Sequence, residues 1–223
     1  MNRIVFIGAA NPETIRMIRA IECAGHEFSA FGFLDNDKDK WGKTFYDLPI
    51  FGGMECAAEL IDENVHFVNL ITGDLTARFQ ITREIVRLGG QLANFIHPNV
   101  DQAMTTIGVG NYIQESVILQ AEVEVGNNSS IHMGSLIGHE SRIGHSVFIA
   151  HGVSISGCCV IGDGSFVGTN ATVLPRTSIG AWCVIGAGAV ITKDVPSHSV
   201  VVGNPGRLIR RNDVPFDHGD VFQ

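Results

Sequence analysis

The chain has 223 residues, 45% of them hydrophobic, which is enough for one large folded unit or two modest ones with a buried core. Its formal net charge of −8 excludes a nucleic-acid or anionic-membrane surface, because such surfaces need clustered Lys and Arg. Five cysteines (Cys23, Cys56, Cys158, Cys159 and Cys183) form an odd, irregular set with no CxxC pair, so they read as small buried hydrophobes rather than a disulfide framework or zinc knuckle.

The first element, Arg3 to Gly8, is an apolar strand. Its run from Ile4 to Ile7 is too short for a membrane span or a signal-peptide core, so a cytoplasmic protein is expected. Asn11 and Pro12 open a helix as N-cap and first helical residue, with Ile15, Ile18, Ala20 and Ile21 on its apolar face and Gly25 at its end. A strand follows from Phe28 to Leu34 and stops at Asp35-Asn36-Asp37. The remaining pattern is a helix at Ala57 to Ile61, a strand at His66 to Ile71, a helix at Thr76 to Leu88 and a short strand at Ala93 to Ile96. This alternation predicts a small parallel sheet covered by helices.

From Ile107 the period becomes six. An aliphatic residue stands at every sixth position from Ile107 to Ile191, fifteen in all, and the residue four further on is small or β-branched each time, or Asn at 111. Glycine often follows the aliphatic residue (108, 126, 138, 144, 162, 168, 180, 186), as expected where a chain turns a corner with positive φ. The pattern predicts a parallel β-helix of triangular section, one hexapeptide per side and about five coils, with inward Ile and Val stacked at eighteen-residue intervals. Its flat faces favour a closed cyclic oligomer, and a homotrimer is expected. Domain bounds follow: 1–97 for the first unit, 98–211 for the β-helix and 212–223 for a C-terminal tail. The basic cluster Arg207, Arg210 and Arg211 reads either as a solvated tail or as a phosphate contact.

The stretch from Ile137 through Gly138, His139, Glu140, Ser141, Arg142 and Ile143 to Gly144, and the closing run from Val202 to Arg207, carry a resemblance. The chain resembles the bacterial sugar acetyltransferases of the hexapeptide-repeat superfamily, in particular the PglD/NeuD-like branch. The resemblance implies an α/β plus all-β chain, with a small Rossmann-like N-terminal domain followed by a left-handed parallel β-helix. It implies acetyl-CoA as co-substrate and a nucleotide-linked amino deoxy sugar as acceptor, for N-acetylation in surface glycan biosynthesis. O-acetylation of a sugar acid such as sialic acid and a non-catalytic scaffold are the alternatives.

Acetyl transfer needs a base for the nucleophile's proton and a donor for the developing oxyanion. His139 matches the family's base, and Glu140 the carboxylate that orients it. Eighteen residues on lies Gly157, whose missing side chain leaves room over the imidazole; by resemblance its N–H meets the thioester oxygen. The alternative for His139 is a polar corner residue of the solenoid. The resemblance places the cofactor between subunits, with His151, Thr169 and Ala187 on a neighbour's corner. Thr169 and Ala187 match positions whose backbones meet pantetheine, or are plain corners. Many relatives carry a second His where this chain has Phe148. Among the first residues, Gly8 opens a turn suited to a diphosphate, although Ala10, Asn11 and Pro12 depart from the family's richer turn. Asp35 and Asn36 match an acidic pair that meets the nucleotide base, with Asn36 replacing the second acid; a degenerate domain kept for stability is the other reading. No metal is expected: His139, His145 and His151 are six apart and fall at three different corners; a zinc site assembled across subunits, as in β-helical carbonic anhydrases, is the alternative, although those enzymes show a different His spacing.

Overall fold

A computed structural model describes residues 2–26, 28–72 and 74–212, so all but the first residue of the expected tail at 212–223 lies outside the described residues. The chain divides into two compact units between Pro98 and Asn99.

In the first unit, β1 (Asn2–Ile7), β2 (Phe28–Leu34), β3 (Thr44–Phe45), β4 (Leu48–Gly52), β5 (Val65–Asn69) and β6 (Gln91–Leu92) form one sheet in the order β3-β4-β2-β1-β5-β6. All neighbours are parallel except β3 and β4. Three helices accompany it: α1 (Pro12–Cys23), α2 (Ala57–Asp62) and α3 (Leu75–Arg87). The start of α1 follows from its residues, since the Asn11 side chain accepts from the Glu13 N–H and Pro12 takes the first turn, where no N–H is needed. Val5, Leu34, Phe67 and Ile85 are fully buried between sheet and helices. The β3–β4 hairpin is absent from the sequence expectations. Its turn places Tyr46 and Asp47 at φ of 48° and 69°, a left-handed pair that the usual Asn-Gly signal does not announce. The strand expected at Ala93 to Ile96 is two short pieces, Gln91–Leu92 and Phe95–Ile96.

The second unit is a three-sided solenoid of two-residue strands, each ending on the inward aliphatic residue. One side stacks Ile118–Leu119, Leu136–Ile137, Ser154–Ile155, Thr172–Val173 and Val190–Ile191; the next runs from Thr106–Ile107 to Ser178–Ile179. The third climbs from Tyr112–Ile113 to Val184–Ile185 and is closed by Ser199–Val202 in parallel and Arg207–Arg211 in antiparallel pairing. Each inward residue up to Val173 pairs with its equivalent eighteen positions on, as Ile137 does with Ile155, while Ile179 and Ile185 pair with Val195 and Val201 in a shorter last coil. From Ile113 onward these residues are buried, each contributing roughly 1.5–3 kcal/mol.

Two sequence expectations are corrected here. None of the glycines that follow the inward residues has positive φ; the left-handed residue comes two places later, at Gly134, Glu140, Gly152, Cys158, Asn170, Arg176 and Trp182 among others. Those glycines answer to crowding instead. A Cβ on Gly138 would stand 2.5 Å from the Gly157 nitrogen in the next coil. The cysteines are all free, but only Cys159 and Cys183 are buried; Cys23 is exposed and Cys56 and Cys158 are half-buried. Burial pushes the Cys159 and Cys183 thiols up, so both stay protonated and point at the carbonyls of Leu174 (3.2 Å) and Pro196 (3.1 Å).

Candidate active site

The corner that follows Ile137 carries His139 and Glu140, and the same corner one coil on carries Gly157 and Cys158. The stacking is direct, since the Cys158 N–H donates to the His139 carbonyl at 2.8 Å. His139 is fixed at its backbone by Gln120, whose Oε1 accepts the His139 N–H at 2.9 Å. Its Nδ1 lies 2.8 Å from Glu140 Oε2, and both side chains are more than half exposed. Glu140 stays ionised below the usual carboxylate range, held there by the His139 hydrogen bond and then by the Cys158 thiol at 3.7 Å. An ionised carboxylate only accepts, so Nδ1 carries the proton and the lone pair is left on Nε2.

Gly157 sits against the other edge of the ring. A Cβ built on it would stand 2.6 Å from His139 Nε2, closer than any side chain tolerates. The room foreseen over the imidazole is therefore taken by the imidazole itself. Among the described residues no acceptor meets the Gly157 N–H, while its carbonyl takes the Arg176 N–H at 3.1 Å. Ser141, wholly buried inside the coil, pins this peptide from both sides. Its Oγ donates to the Ser156 carbonyl at 3.0 Å and accepts the Cys159 N–H at 3.1 Å.

Within one chain the other expected residues lie elsewhere. His151, Thr169 and Ala187 stack on a second corner, where Asn170 N–H reaches the His151 carbonyl at 3.0 Å and Gly188 N–H the Thr169 carbonyl at 2.8 Å. His145 is on the third corner, its Nδ1 accepting the Asn127 N–H at 2.9 Å. Phe148 belongs to a ring column, stacked on Phe166 at 5.1 Å and tilted against the buried His132 at 4.5 Å. Arg207 is exposed on the closing strand.

In the first unit, Gly8 turns with φ of 107° after β1 and donates its N–H to the Leu34 carbonyl at 2.8 Å. Asp35 Oδ2 accepts the Ala9 N–H at 2.8 Å and Lys40 Nζ at 2.9 Å, and Oδ1 accepts the Asp37 N–H at 2.9 Å. Burial pushes this carboxyl up, but the Lys40 ammonium and the two amides outweigh it and hold it below the usual range. Asp35 thus fastens the turn at Gly8 to the end of β2. Asn36 is exposed, and its Oδ1 accepts the Met54 N–H at 3.3 Å. Sequence reasoning passed over Gln120, Ser141 and Cys158; the eighteen-residue offset from Glu140 to Cys158 was the signal for the last.

Residues 140–175 and 158–193 match the family described as bacterial transferase hexapeptide (six repeats). Both matches lie in the β-helix, and together with the likeness to an acetyl-CoA-bound acetyltransferase they mark the chain as an acyltransferase. No curated protein matches the chain by sequence. Among solved structures, the acetyltransferase domain of PglB from Neisseria gonorrhoeae FA1090, in complex with acetyl coenzyme A, superposes with a TM-score of 0.83 at 25% identity, covering 94% of this chain and 100% of that one. A His-to-Asn mutant of perosamine N-acetyltransferase from Caulobacter crescentus, in complex with CoA and GDP-perosamine, gives 0.84 at 23% identity over 94% and 98%. WeeI from Acinetobacter baumannii AYE gives 0.77 at 23% over 94% and 100%. The shared fold joins an N-terminal domain to a left-handed β-helix. No helix among the described residues is long and apolar enough to cross a membrane.

Proposed function

We propose that the chain is an acetyl-CoA-dependent N-acetyltransferase of a nucleotide-linked amino deoxy sugar, working in the cytoplasm in surface glycan biosynthesis, with His139 as general base. The observation that carries this reading is the His139–Glu140 contact at 2.8 Å with Gly157 against the same ring. Glu140 accepts the Nδ1 proton and leaves the Nε2 lone pair free. That nitrogen takes a proton from the acceptor amine as the amine attacks the thioester carbonyl. The free N–H of Gly157 suits the developing oxyanion, and the proton on Nε2 then passes to the departing thiolate. The N-terminal unit holds the nucleotide, with Gly8, Asp35 and Asn36 at the end of its central strands. There the acceptor's diphosphate meets the start of α1, where Ala10 and Asn11 are exposed.

We assign the pantetheine arm to the Thr169 and Ala187 corner of a neighbouring subunit and a CoA phosphate to Arg207, in a homotrimer. The two corners do not converge within one chain, which is what makes assembly part of the site. Light scattering should then give three times 24.0 kDa. A thiol-release assay with acetyl-CoA against a panel of nucleotide-linked amino sugars and sialic acids tests the reaction. Turnover with the amino sugars supports it, and turnover confined to sialic acids overturns N-acetylation. The perosamine and PglB relatives, bound to CoA or acetyl-CoA, support the same choice of donor.

A further inference from the structure

We propose that the His139 corner binds a single Zn²⁺ ion, through a ring nitrogen of His139, a carboxylate oxygen of Glu140 and the Sγ of Cys158. One ligand atom from each of the three lies within 4.8 Å of the others. Zinc ligands at about 2.0–2.3 Å in a tetrahedron stand about 3.3–3.8 Å apart. The Cys158 Sγ to Glu140 Oε2 separation is 3.7 Å, already in that range; the 2.8 Å His139–Glu140 pair has to open, and the His139–Cys158 pair stands within 4.8 Å.

The fold explains why the three converge. Glu140 and Cys158 hold the same left-handed corner position in successive coils, with φ of 57° and 60°, so their side chains leave the backbone in the same direction. Adjacent strands are about 4.8 Å apart, close enough for one ion to bridge the pair. Ser141, next to Glu140 in the chain, fixes the Cys158 corner from inside through the Ser156 carbonyl and the Cys159 N–H. The donor set of imidazole, carboxylate and thiol suits a borderline-soft ion and not Ca²⁺ or Mg²⁺, which take oxygen. Outward exposure of His139 and Glu140 leaves the fourth position to water. Arg176, whose charge also acts on Glu140, opposes the ion.

Zinc held there withdraws the lone pair and the carboxylate that the proposed reaction uses, so the ion is an inhibitor; this consequence, unlike the site, rests on His139 being the base. The test uses tag-free, chelator-treated full-length protein titrated with Co²⁺, which reports thiolate ligation by a near-ultraviolet charge-transfer band. One equivalent per chain is expected, displaced by Zn²⁺. Cys158→Ser should abolish the band and weaken Zn²⁺ binding by at least about 10-fold, the low end of what even an outer-shell change costs. Cys23→Ser, which alters the exposed cysteine, should leave both intact. A wild type without the band, or a band that survives in Cys158→Ser, overturns the site. Turnover that continues with zinc bound leaves the metal site standing and removes His139 from the reaction.

Discussion

Gly157 lies so close to His139 that a single added carbon would stand 2.6 Å from Nε2. The imidazole takes its position because the residue one coil away has no side chain. Gly157→Ala should therefore fold and assemble, since the Gly157 backbone is outside the left-handed region, yet displace the ring. A shift of about 1 Å in a reacting group costs on the order of 10²-fold in rate, and kcat measured beside light scattering would show that loss with assembly retained.

If His139 is the base, His139→Ala lowers kcat by roughly 10²–10⁴-fold, while calorimetry finds acetyl-CoA affinity little changed. Glu140→Gln should act in the same direction less severely, because an amide no longer compels the proton onto Nδ1. Normal turnover of His139→Ala with every acceptor would remove the assignment.

Ser141 does not contact the His139 or Glu140 side chain through any hydrogen bond shown, yet it holds the Ser156–Gly157 and Cys158–Cys159 peptides. Ser141→Ala leaves a part-buried carbonyl and a buried N–H unpaired, a cost of about 1–3 kcal/mol that thermal denaturation should register. Ser141→Cys should recover part of it, because Cys159 already fills the equivalent place one coil on and reaches a carbonyl in the same way. Recovery of kcat alongside stability would identify Ser141 as a positioning residue.

Asp35 gives the first unit a pH dependence. Its carboxyl is held below the usual range in the folded chain, so the stabilisation is present in full above the ordinary carboxylate pKa and is lost as pH falls through the lower folded value. Its side chain is 12% exposed, and Asp35→Asn, which keeps the shape but not the charge, should cost about 1–3 kcal/mol at neutral pH. The difference from wild type should shrink in denaturation series taken toward acid. A constant difference would contradict the charge as its origin.

Arg207 is the last residue placed at the donor. Arg207→Ala should weaken acetyl-CoA binding in calorimetry by about 1.5–3 kcal/mol, the range of a charge-assisted hydrogen bond. Unchanged affinity would leave Arg207 as a solvated residue of the closing strand.

The coils were legible in the sequence because an inward aliphatic residue at every sixth place has one physical reading, and the eighteen-residue offset alone puts Gly157 over His139. The corner geometry was not. Glycine there has two causes, left-handed backbone or crowding, and composition does not separate them. Trp182 and Arg176 adopt φ of 56° and 60° without the residue type announcing it. The β3–β4 hairpin was hidden for the same reason, its turn built on Tyr46 and Asp47. At the site, Cys158 is hidden because the irregular spacing of the five cysteines carries no metal or disulfide pattern, and only its place eighteen residues after Glu140 brings it to the corner.

The stacking of Ile137 on Ile155 also sets how this solenoid can change in length. Loss of one residue from a coil would rotate every later inward side chain toward solvent, and loss of six would move each later side of the triangle onto the wrong sheet. Removal of a whole eighteen-residue turn restores every pairing at once. Length is therefore quantised along the regular coils, where whole turns can be lost or gained beyond the His139 corner; only the last coil, where Ile185 pairs with Val201, departs from the eighteen-residue step.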